Sequence, residues 1–446
     1  MQVEIEVKVN GAVVKRLVEA VDGTLEEMEE AVDALSRKVA SQTLQASVDA
    51  VEVPRPLFSP AGGRLRHKGY ETRTLVGLNG DVVVRRARFQ DVQTGKMVFP
   101  LDERLALPSG DVTVSLATRA LRLGTYMSFA PLQEELQFQH DVRLSRSTLD
   151  RLMQTVGGVS EQDRQECTDA LVAAPVGTAR EEQVTVDLSG PLPDRLYVSC
   201  DGVMYPTRYR KPDPNGGDGK RIEYQEMKGG VVYWETPDGR LEKRMLGGRD
   251  DPERFGLSLW ALAVRCGMLQ VREVVFISDG GTWCETVARR YFRDATRILD
   301  WYHLSEYVWE AGRALYPDKE ATKRWVSTCL ETLKTSSGIG LLRHLQRSRR
   351  VRVGRGASDL TALDALIKYL EPRLAMTDYV DYRLAGFDIG SGKMEATCKQ
   401  LVSGRLKGSG RQWSESGAVA MVALIAHRIN GTWDQFWATR PLQRAA

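Results

Sequence analysis

The stretch Val274-Val275-Phe276-Ile277-Ser278-Asp279-Gly280-Gly281 places four apolar residues before a serine, an aspartate and two glycines. A short apolar run that ends at Asp-Gly predicts a buried strand with a carboxylate at its end. Two other runs are similar, because Leu196-Tyr197-Val198-Ser199-Cys200 precedes Asp201-Gly202 and Thr296-Arg297-Ile298-Leu299 precedes Asp300. Together they predict an α/β sheet with acidic residues along one edge.

Further strands and helices surround this pattern. Gly229-Gly230-Val231-Val232-Tyr233-Trp234 and Arg240-Leu241-Glu242-Lys243-Arg244 flank Asp238-Gly239, which predicts a hairpin. Residues 252–266 and 282–292 have helical spacing of apolar residues. The order is three strands, a helix, a strand, a helix, a strand, a helical stretch of about 80 residues and a late helix. This is the order of a ribonuclease-H-like sheet, so we predict a mixed α/β fold with an RNase H-like core and an α-helical insertion.

The N-terminal residues predict a small β-hairpin followed by a helix. Apolar and charged residues alternate up to Val9, and Asn10-Gly11 then predicts a tight turn. Helical spacing of apolar residues from Leu25 to Val39 predicts an amphipathic helix. Its apolar stripe either packs on its own domain or forms a dimer seam. Prolines and glycines in residues 54–63 predict a linker.

A β unit and a helical pair are expected between this linker and the sheet. Residues 64–110 predict strands around the turn Asn79-Gly80. Ser145 is placed to cap a helix over about residues 146–156, and the leucine before it is placed to pack on Leu149. The helical pair is either a helix-turn-helix that reads DNA or an ordinary part of the core.

These patterns divide the 446 residues into five segments. The segments are 1–60 (hairpin and helix, a candidate oligomerisation element), 61–190 (β unit and DNA-binding helix-turn-helix-like region), 191–303 (first part of the RNase H-like core), 304–380 (α-helical insertion) and 381–446 (last part of the core).

Composition excludes several classes of protein. The chain is 42% hydrophobic with a net charge of +3, which is a globular balance. No run of about eighteen apolar residues occurs and no basic-apolar leader precedes the first strand, so neither a membrane span nor a secretion signal is expected. The cysteines lie far apart without a C-x-x-C pair, so neither a disulfide framework nor zinc is expected. A reducing cytoplasm fits this pattern.

Three carboxylates are the candidates for chemistry. Asp201 and Asp279 follow apolar strands, and Glu395 lies in the first turn of a helix that Ser391 can cap. Such a set suits two Mg²⁺ (or Mn²⁺) ions, because hard cations bind oxygen ligands and two ions support in-line phosphoryl transfer. The alternative is that both Asp-Gly pairs only form turns.

Four segments, in order, resemble the ISKra4 family of bacterial insertion-sequence transposases, which is related to the Mutator-like DDE transposases. The segments are Asp201-Gly202-Val203, Phe276-Ile277-Ser278-Asp279-Gly280-Gly281-Thr282-Trp283, Ile298-Leu299-Asp300-Trp301-Tyr302-His303-Leu304, and Ile389-Gly390-Ser391-Gly392-Lys393-Met394-Glu395-Ala396-Thr397-Cys398-Lys399 with the nearby residues 405–414.

The resemblance implies that Asp201, Asp279 and Glu395 are the DDE metal ligands. It also matches Asp300 and His303 to the Asp-x-x-His pair of Mutator-like transposases, which implies a role at the scissile phosphate. The alternative is a structural hydrogen bond from Asp300 to a backbone amide, with His303 partly buried. Many relatives carry paired cysteines near the N-terminus that resemble a zinc ribbon, and this chain has none there.

Basic clusters are the candidates for DNA contact, because arginine and lysine bind phosphates without reading sequence. The alternative for each cluster is a solvated charged surface. The candidates are Arg343, Arg347, Arg349, Arg350, Arg352 and Arg355; Arg405, Lys407 and Arg411; and Arg64, Arg66 and Lys68.

The sequence therefore predicts a DNA transposase of the bacterial cytoplasm, associated with the nucleoid. Its expected partners are double-stranded DNA, as terminal inverted repeats and target, and a second copy of the chain or more. One alternative is a metal-dependent RNase H-like nuclease that cuts without joining. The other is a domesticated DNA-binding protein without catalysis.

Overall fold

A computed structural model describes residues 1–60, 62–174, 190–212, 220–354 and 360–444. The chain forms two compact units, of which unit 1 comprises Met1–Val159 with Trp433–Ala446 and unit 2 comprises Ser160–Thr432. These limits differ from the segment boundaries expected near residues 190 and 380. The C-terminal residues join unit 1 because Ser109 donates to the Leu442 carbonyl (2.9 Å) and Gln443 donates to the Ala106 carbonyl (2.6 Å).

The fold is mixed α/β. The strands are β1 (Gln2–Val9), β2 (Ala12–Ala20), β3 (Leu65–Gly77), β4 (Gly80–Asp91), β5 (Met97–Val98), β6 (Arg195–Pro212), β7 (Lys220–Glu235), β8 (Leu241–Gly248), β9 (Glu273–Ser278) and β10 (Thr296–Leu299). The helices are α1 (Leu25–Asp49), α2 (Pro100–Leu105), α3 (Val114–Gly124), α4 (Phe129–His140), α5 (Arg146–Ala173), α6 (Pro252–Arg265), α7 (Thr282–Tyr291), α8 (Trp301–Leu315), α9 (Lys319–Gly354), α10 (Thr361–Leu370), α11 (Tyr379–Leu384), α12 (Gly392–Cys398), α13 (Gly404–Leu406), α14 (Glu415–Ile429), α15 (Trp433–Ala438) and α16 (Pro441–Arg444). A 3₁₀ helix covers Glu371–Met376 and a π-helix covers Lys399–Ser403.

The N-terminal hairpin and helix of unit 1 form as the sequence predicts. Asn10 and Gly11 have positive φ angles of 51° and 84°, as a tight turn between β1 and β2 requires. Helix α1 contacts β1, β2 and β4. Its apolar stripe is only partly covered, because Leu35 is buried whereas Leu25 and Val32 are 74% and 49% exposed.

The predicted helical pair of unit 1 corresponds to α4 and α5. The Ser145 hydroxyl accepts a hydrogen bond from the Thr148 amide (3.0 Å), so Ser145 caps α5 as expected, and Leu149 is buried. The helix does not end near residue 156. Val156 and Val159 are both buried and keep the helical spacing across the intervening glycines, so α5 continues to Ala173.

Unit 2 contains a five-stranded sheet with the order β10-β9-β6-β7-β8. The pairs β6–β7 and β7–β8 are antiparallel, whereas β6–β9 and β9–β10 are parallel. Helices α6 and α7 cover one face, where Phe255, Leu259 and Val287 pack with Val198 and Phe276 in a buried cluster. The strands and both helices predicted for this part of the chain are therefore confirmed.

The first strand of the sheet is longer than predicted. The apolar run ends at Cys200, but β6 continues to Pro212 and pairs with β7, which begins at Lys220 instead of Gly229. Beyond the continuous apolar run the strands continue as an alternating pattern, in which Val203, Tyr205 and Met227 are buried and Met204 is exposed. Asp201 therefore lies within a strand and not at its end.

The helical insertion consists of α8 to α11, and α9 is kinked. Ser336 and Ser337 leave the helical conformation, and Ser337 has a φ of 54°. The Ser337 hydroxyl donates to Asp378 (2.8 Å), and the Gly338 amide donates to the Thr377 carbonyl (3.2 Å). These bonds fix the kink against the segment that precedes α11.

Candidate functional site

Asp201 and Asp279 interact electrostatically at the centre of the sheet. Asp279 directly follows β9, which runs parallel to β6, the strand that carries Asp201. The pKa of the Asp201 carboxyl is raised to about 6, chiefly by burial. The hydrogen bond from the Gly202 amide opposes this rise, the negative charge of Asp279 contributes to it, and His303 acts against it. The two carboxylates thus share one site at the level where β9 ends.

The loop that carries Asp279 is held from the helical insertion. The Tyr369 hydroxyl, at the end of α10, donates to the Asp279 carbonyl (2.5 Å). The Arg373 guanidinium donates twice to the Gly280 carbonyl (3.0 and 2.6 Å) and once to the Tyr369 carbonyl (2.7 Å). The Gly281 amide donates to the Asp279 carboxylate (2.8 Å). The insertion therefore positions one of the two central carboxylates.

Arg373→Lys is expected to loosen this loop. A lysine ammonium does not reproduce the planar fork that reaches Gly280 and Tyr369 together. The Gly280 carbonyl then loses partners inside the protein, at a cost of about 1–3 kcal/mol. Hydrogen exchange of the Gly281 amide should become roughly tenfold faster or more. Lys368→Ala, an exposed change on α10, is the control, and equal exchange in both variants would contradict this role.

Glu395 lies on α12, which packs over the strand opposite Asp201. Gly229 is the cross-strand partner of Asp201, and a Cβ there would lie 3.2 Å from the Met394 side chain of α12. Burial raises the pKa of Cys398 to about 12, with the charges of Asp201 and Glu395 contributing. Glu395 itself is exposed. Its helix therefore borders the site, and the Glu395 side chain is open to solvent there.

Asp300 is buried and fully engaged by hydrogen bonds. Its carboxylate accepts from the amides of Tyr302 (3.0 Å) and Ser391 (3.1 Å), and from the Ser391 hydroxyl. Ser391 occupies the N-cap position of α12, but its hydroxyl binds Asp300 and does not cap the helix as predicted. The Asp300 amide donates a hydrogen bond to the carbonyl of Ser278 (2.8 Å), the residue before Asp279. These contacts correspond to the structural alternative for Asp300.

His303 borders the same site from α8. Its side chain is 34% exposed, and Nδ1 lies 3.7 Å from the carboxylate of Glu306. Its ring contacts Tyr307 and Tyr369 edge-on, with centroid distances of 5.4 and 6.0 Å. His303 also interacts electrostatically with Asp201, so its ring borders the site that contains this carboxylate.

Two charged residues of β7 near Asp201 escaped prediction. Glu226 contributes to the raised pKa of Asp201, and its carboxylate lies 3.4 Å from the Lys228 ammonium. Lys228 is 8% exposed and lies 5.6 Å from the Trp283 ring centre. Both precede the predicted start of the strand at Gly229. The alternation of charged and apolar residues at 226–228 is the signal that would have extended it.

The donor set fits a hard divalent cation only in part. In the described ranges, no group of three or more His, Cys, Asp or Glu side chains is arranged to hold a metal ion. Asp201 and Asp279 supply carboxylate oxygens, which Mg²⁺ prefers. A cation between them would also relieve the repulsion that helps to raise the pKa of Asp201.

The basic candidates differ in their accessibility. Those exposed to solvent are Arg64, Arg66, Lys68, Arg343, Arg347, Arg349, Arg350 and Lys407, and Arg352 and Arg411 are half-buried. The predicted DNA contact of Arg405 is wrong, because this side chain is 3% exposed beside the Trp413 ring and cannot reach a phosphate. Burial also lowers the pKa of Arg405 to about 10. Arg411 donates to the Gly404 carbonyl (3.1 Å). Arg355 lies outside the described residues.

Comparisons with known proteins give a distant structural likeness and no match in sequence. No protein-family model matches the chain, and no curated protein matches it. The structure is similar to that of the Drosophila P element transposase in its strand transfer complex, with a TM-score of 0.25 and 12% identity over 73% of this chain and 80% of that one.

None of the helices in the described residues is long and apolar enough to span a membrane.

Proposed function

We propose that this protein is a DDE transposase that cleaves DNA at the ends of a mobile element and joins the freed 3′-hydroxyls to target DNA. The observation that carries the proposal is the position of Asp201 and Asp279 on neighbouring parallel strands, each two residues beyond the paired Ser199 and Ile277. Paired carboxylates at this place in a sheet suit phosphoryl transfer. The resemblance of four segments to the ISKra4 family supports the same chemistry.

The sheet topology supports an RNase H-like core. Three antiparallel strands, β6 to β8, are joined at β6 to two parallel strands, β9 and β10, in the order that the sequence predicts for this fold. Asp201 is on the central strand, and Asp279 follows its parallel neighbour. The helical insertion then separates these residues from α12 and Glu395.

Asp201 and Asp279 would hold two Mg²⁺ (or Mn²⁺) ions, with Glu395 completing the site. When bound, such ions activate the attacking oxygen and stabilise the leaving one. Asp300 keeps the start of α12 beside the Asp279 loop. His303 donates a hydrogen bond to a phosphate oxygen or to the leaving strand. Lys228 balances negative charge beside Asp201.

DNA contacts would come from the exposed basic residues. The arginines of α9 are candidates in unit 2, and Arg64, Arg66 and Lys68 are candidates in unit 1. The uncovered part of the α1 stripe is a candidate dimer contact, because Leu25 and Val32 are exposed. Deleting residues 1–59 should lower the oligomeric state measured by light scattering. An unchanged state would contradict this interface.

The proposal is tested with purified protein and DNA that carries the sequences flanking its coding region. Wild-type protein should nick this DNA in Mg²⁺ and leave 3′-hydroxyls, and EDTA should stop the reaction. Asp279→Asn should remove the activity by about 10³-fold. Glu310→Gln, an exposed change on α8, should leave it intact. No Mg²⁺-dependent nicking, or an unaffected Asp279→Asn variant, would contradict the proposal.

Pre-cleaved ends separate a transposase from a nuclease that cuts without joining. A transposase should join these ends to a target plasmid, because the 3′-hydroxyl replaces water as the nucleophile. Nicking without joining would instead identify an RNase H-like nuclease. DNA binding that needs neither Asp201 nor Asp279 and produces no nicks would identify a DNA-binding protein without catalysis.

A further inference from the structure

The helical insertion contains a cavity of about 510 Å³ outside the carboxylate site. One wall is a single face of α9, because its lining residues recur at helical spacings of three and four from His344 through Arg347, Ser348, Val351 and Arg352. Tyr316 and Trp325 line the cavity from the end of α8 and the first half of α9. Its size is within the range of about 300–1,000 Å³ that is usual for small-ligand sites.

The cavity carries positive charge without a matching carboxylate. Arg349, on the same helix, is paired with Asp364 (2.6 Å). Neither Arg347 nor Arg352 makes a salt bridge within the described ranges. Burial lowers the pKa of His344, and the positive charge of Arg347 adds to this effect. An anion in the cavity would relieve this repulsion.

Aromatic rings lie beside these charges. The Arg352 guanidinium lies over the Tyr316 ring, with its Cζ atom 4.5 Å from the ring centre, as in a cation–π contact. The Tyr316 and Trp325 rings are 6.3 Å apart at an interplanar angle of 44°. The Trp325 Nε1 and His344 Nε2 atoms are buried and have no hydrogen-bond partner among the described residues. Both atoms belong to residues that line the cavity.

We propose that this cavity binds a nucleoside phosphate, with the phosphate on Arg347 and Arg352 and the base beside Tyr316 and Trp325. The ligand is either an unpaired nucleotide of a DNA strand or a free nucleotide. Arginine forms bidentate hydrogen bonds to phosphate, and aromatic side chains stack on any base without sequence preference. Only the DNA source rests on the proposed function.

The test measures binding of the full-length protein to fluorescein-labelled oligo(dT) in EDTA, where the carboxylate site is inactive. Arg347→Ala and Arg352→Ala should each weaken binding about tenfold and lower the salt dependence of binding by about one phosphate contact. Lys323→Ala removes a positive charge from α9 outside the cavity and should bind normally. Arg352→Lys keeps the positive charge but loses the planar guanidinium over the Tyr316 ring, so its affinity should lie between those of Arg352→Ala and Lys323→Ala.

Competition with dTMP and with inorganic phosphate distinguishes the two sources. Displacement of the oligonucleotide by dTMP but not by phosphate supports a free nucleotide as ligand, and resistance to both supports a strand of DNA. The proposal is overturned if both alanine variants bind the oligonucleotide and dTMP as Lys323→Ala does, with melting temperatures showing that all fold. Arg347→Ala and Arg352→Ala leave Asp201 and Asp279 in place, so the carboxylate proposal and this one are tested at different residues and fail separately.

Discussion

Asp201→Asn is expected to abolish DNA cleavage and, at the same time, to stabilise the metal-free protein. Asparagine keeps the oxygen that accepts from the Gly202 amide (2.7 Å) but removes the charge that would hold a cation. Cleavage should fall by about 10³-fold or more. The buried charge beside Asp279 no longer opposes folding, so the free energy of unfolding should rise.

The gain in stability depends on pH with a defined sign. Folding raises the pKa of Asp201 from 3.8 to about 6, so the folded protein binds this proton more tightly than the unfolded chain. The resulting stabilisation is complete below about pH 4 and is lost as the pH rises through 6, a loss of up to about 3 kcal/mol. The advantage of Asp201→Asn should therefore be largest above about pH 6 and vanish near pH 4.

Urea unfolding in EDTA, at about pH 7.5 and about pH 4, measures this difference. Added Mg²⁺ should stabilise the wild-type protein and leave Asp201→Asn unchanged, because a ligand stabilises only the state that binds it. Glu310→Gln is the control for removal of a carboxylate on a nearby surface. Retained cleavage by Asp201→Asn, or a lower stability in EDTA at the higher pH, would contradict the role of Asp201.

Asp300→Ala is expected to destabilise the fold by about 3 kcal/mol, because three donors lose their buried acceptor. Two of those donors belong to Ser391, so the start of α12 is released. Cleavage should fall as a consequence, and Ser391→Ala should reproduce a smaller part of both effects. Thermal unfolding and the nicking assay measure the two quantities together.

Comparing the loss of stability with the loss of cleavage shows whether Asp300 positions its neighbours or takes part in the reaction. If Asp300 only positions its neighbours, activity at low temperature should recover in proportion to the folded fraction. A variant that is fully folded, keeps its melting temperature and loses all cleavage would contradict the positioning role. That result would assign Asp300 directly to the reacting phosphate. Asp238→Ala, a change in an exposed hairpin turn, is the matched control.

Local signals in the sequence were sufficient for much of the sheet. Asp-Gly and Asn-Gly turns located the hairpins, and short apolar runs located β9 and β10 and the first half of β6. The predicted ends of β6 and β7 were wrong because only the continuous apolar runs were taken as strands, although buried Val203, Tyr205 and Met227 continue them as an alternating pattern. Glu226 and Lys228 were missed for the same reason.

The candidate site was less predictable, because tertiary packing decides where charged side chains point. Arg405 reads as a phosphate ligand in a basic glycine-rich stretch, yet it is buried beside Trp413. Ser391 reads as a helix cap, yet its hydroxyl binds Asp300. Contacts from Tyr369 and Arg373 to the Asp279 loop join residues about 90 positions apart, and no local spacing rule reports them.

The most direct test of the central claim is a crystal structure of the protein with DNA ends and Mn²⁺, examined for anomalous scattering. We expect a metal peak within about 2–2.5 Å of carboxylate oxygens from both Asp201 and Asp279, with the Glu395 carboxylate beside it. Well-ordered carboxylates with no metal between them, or a metal bound elsewhere on the chain, would contradict it.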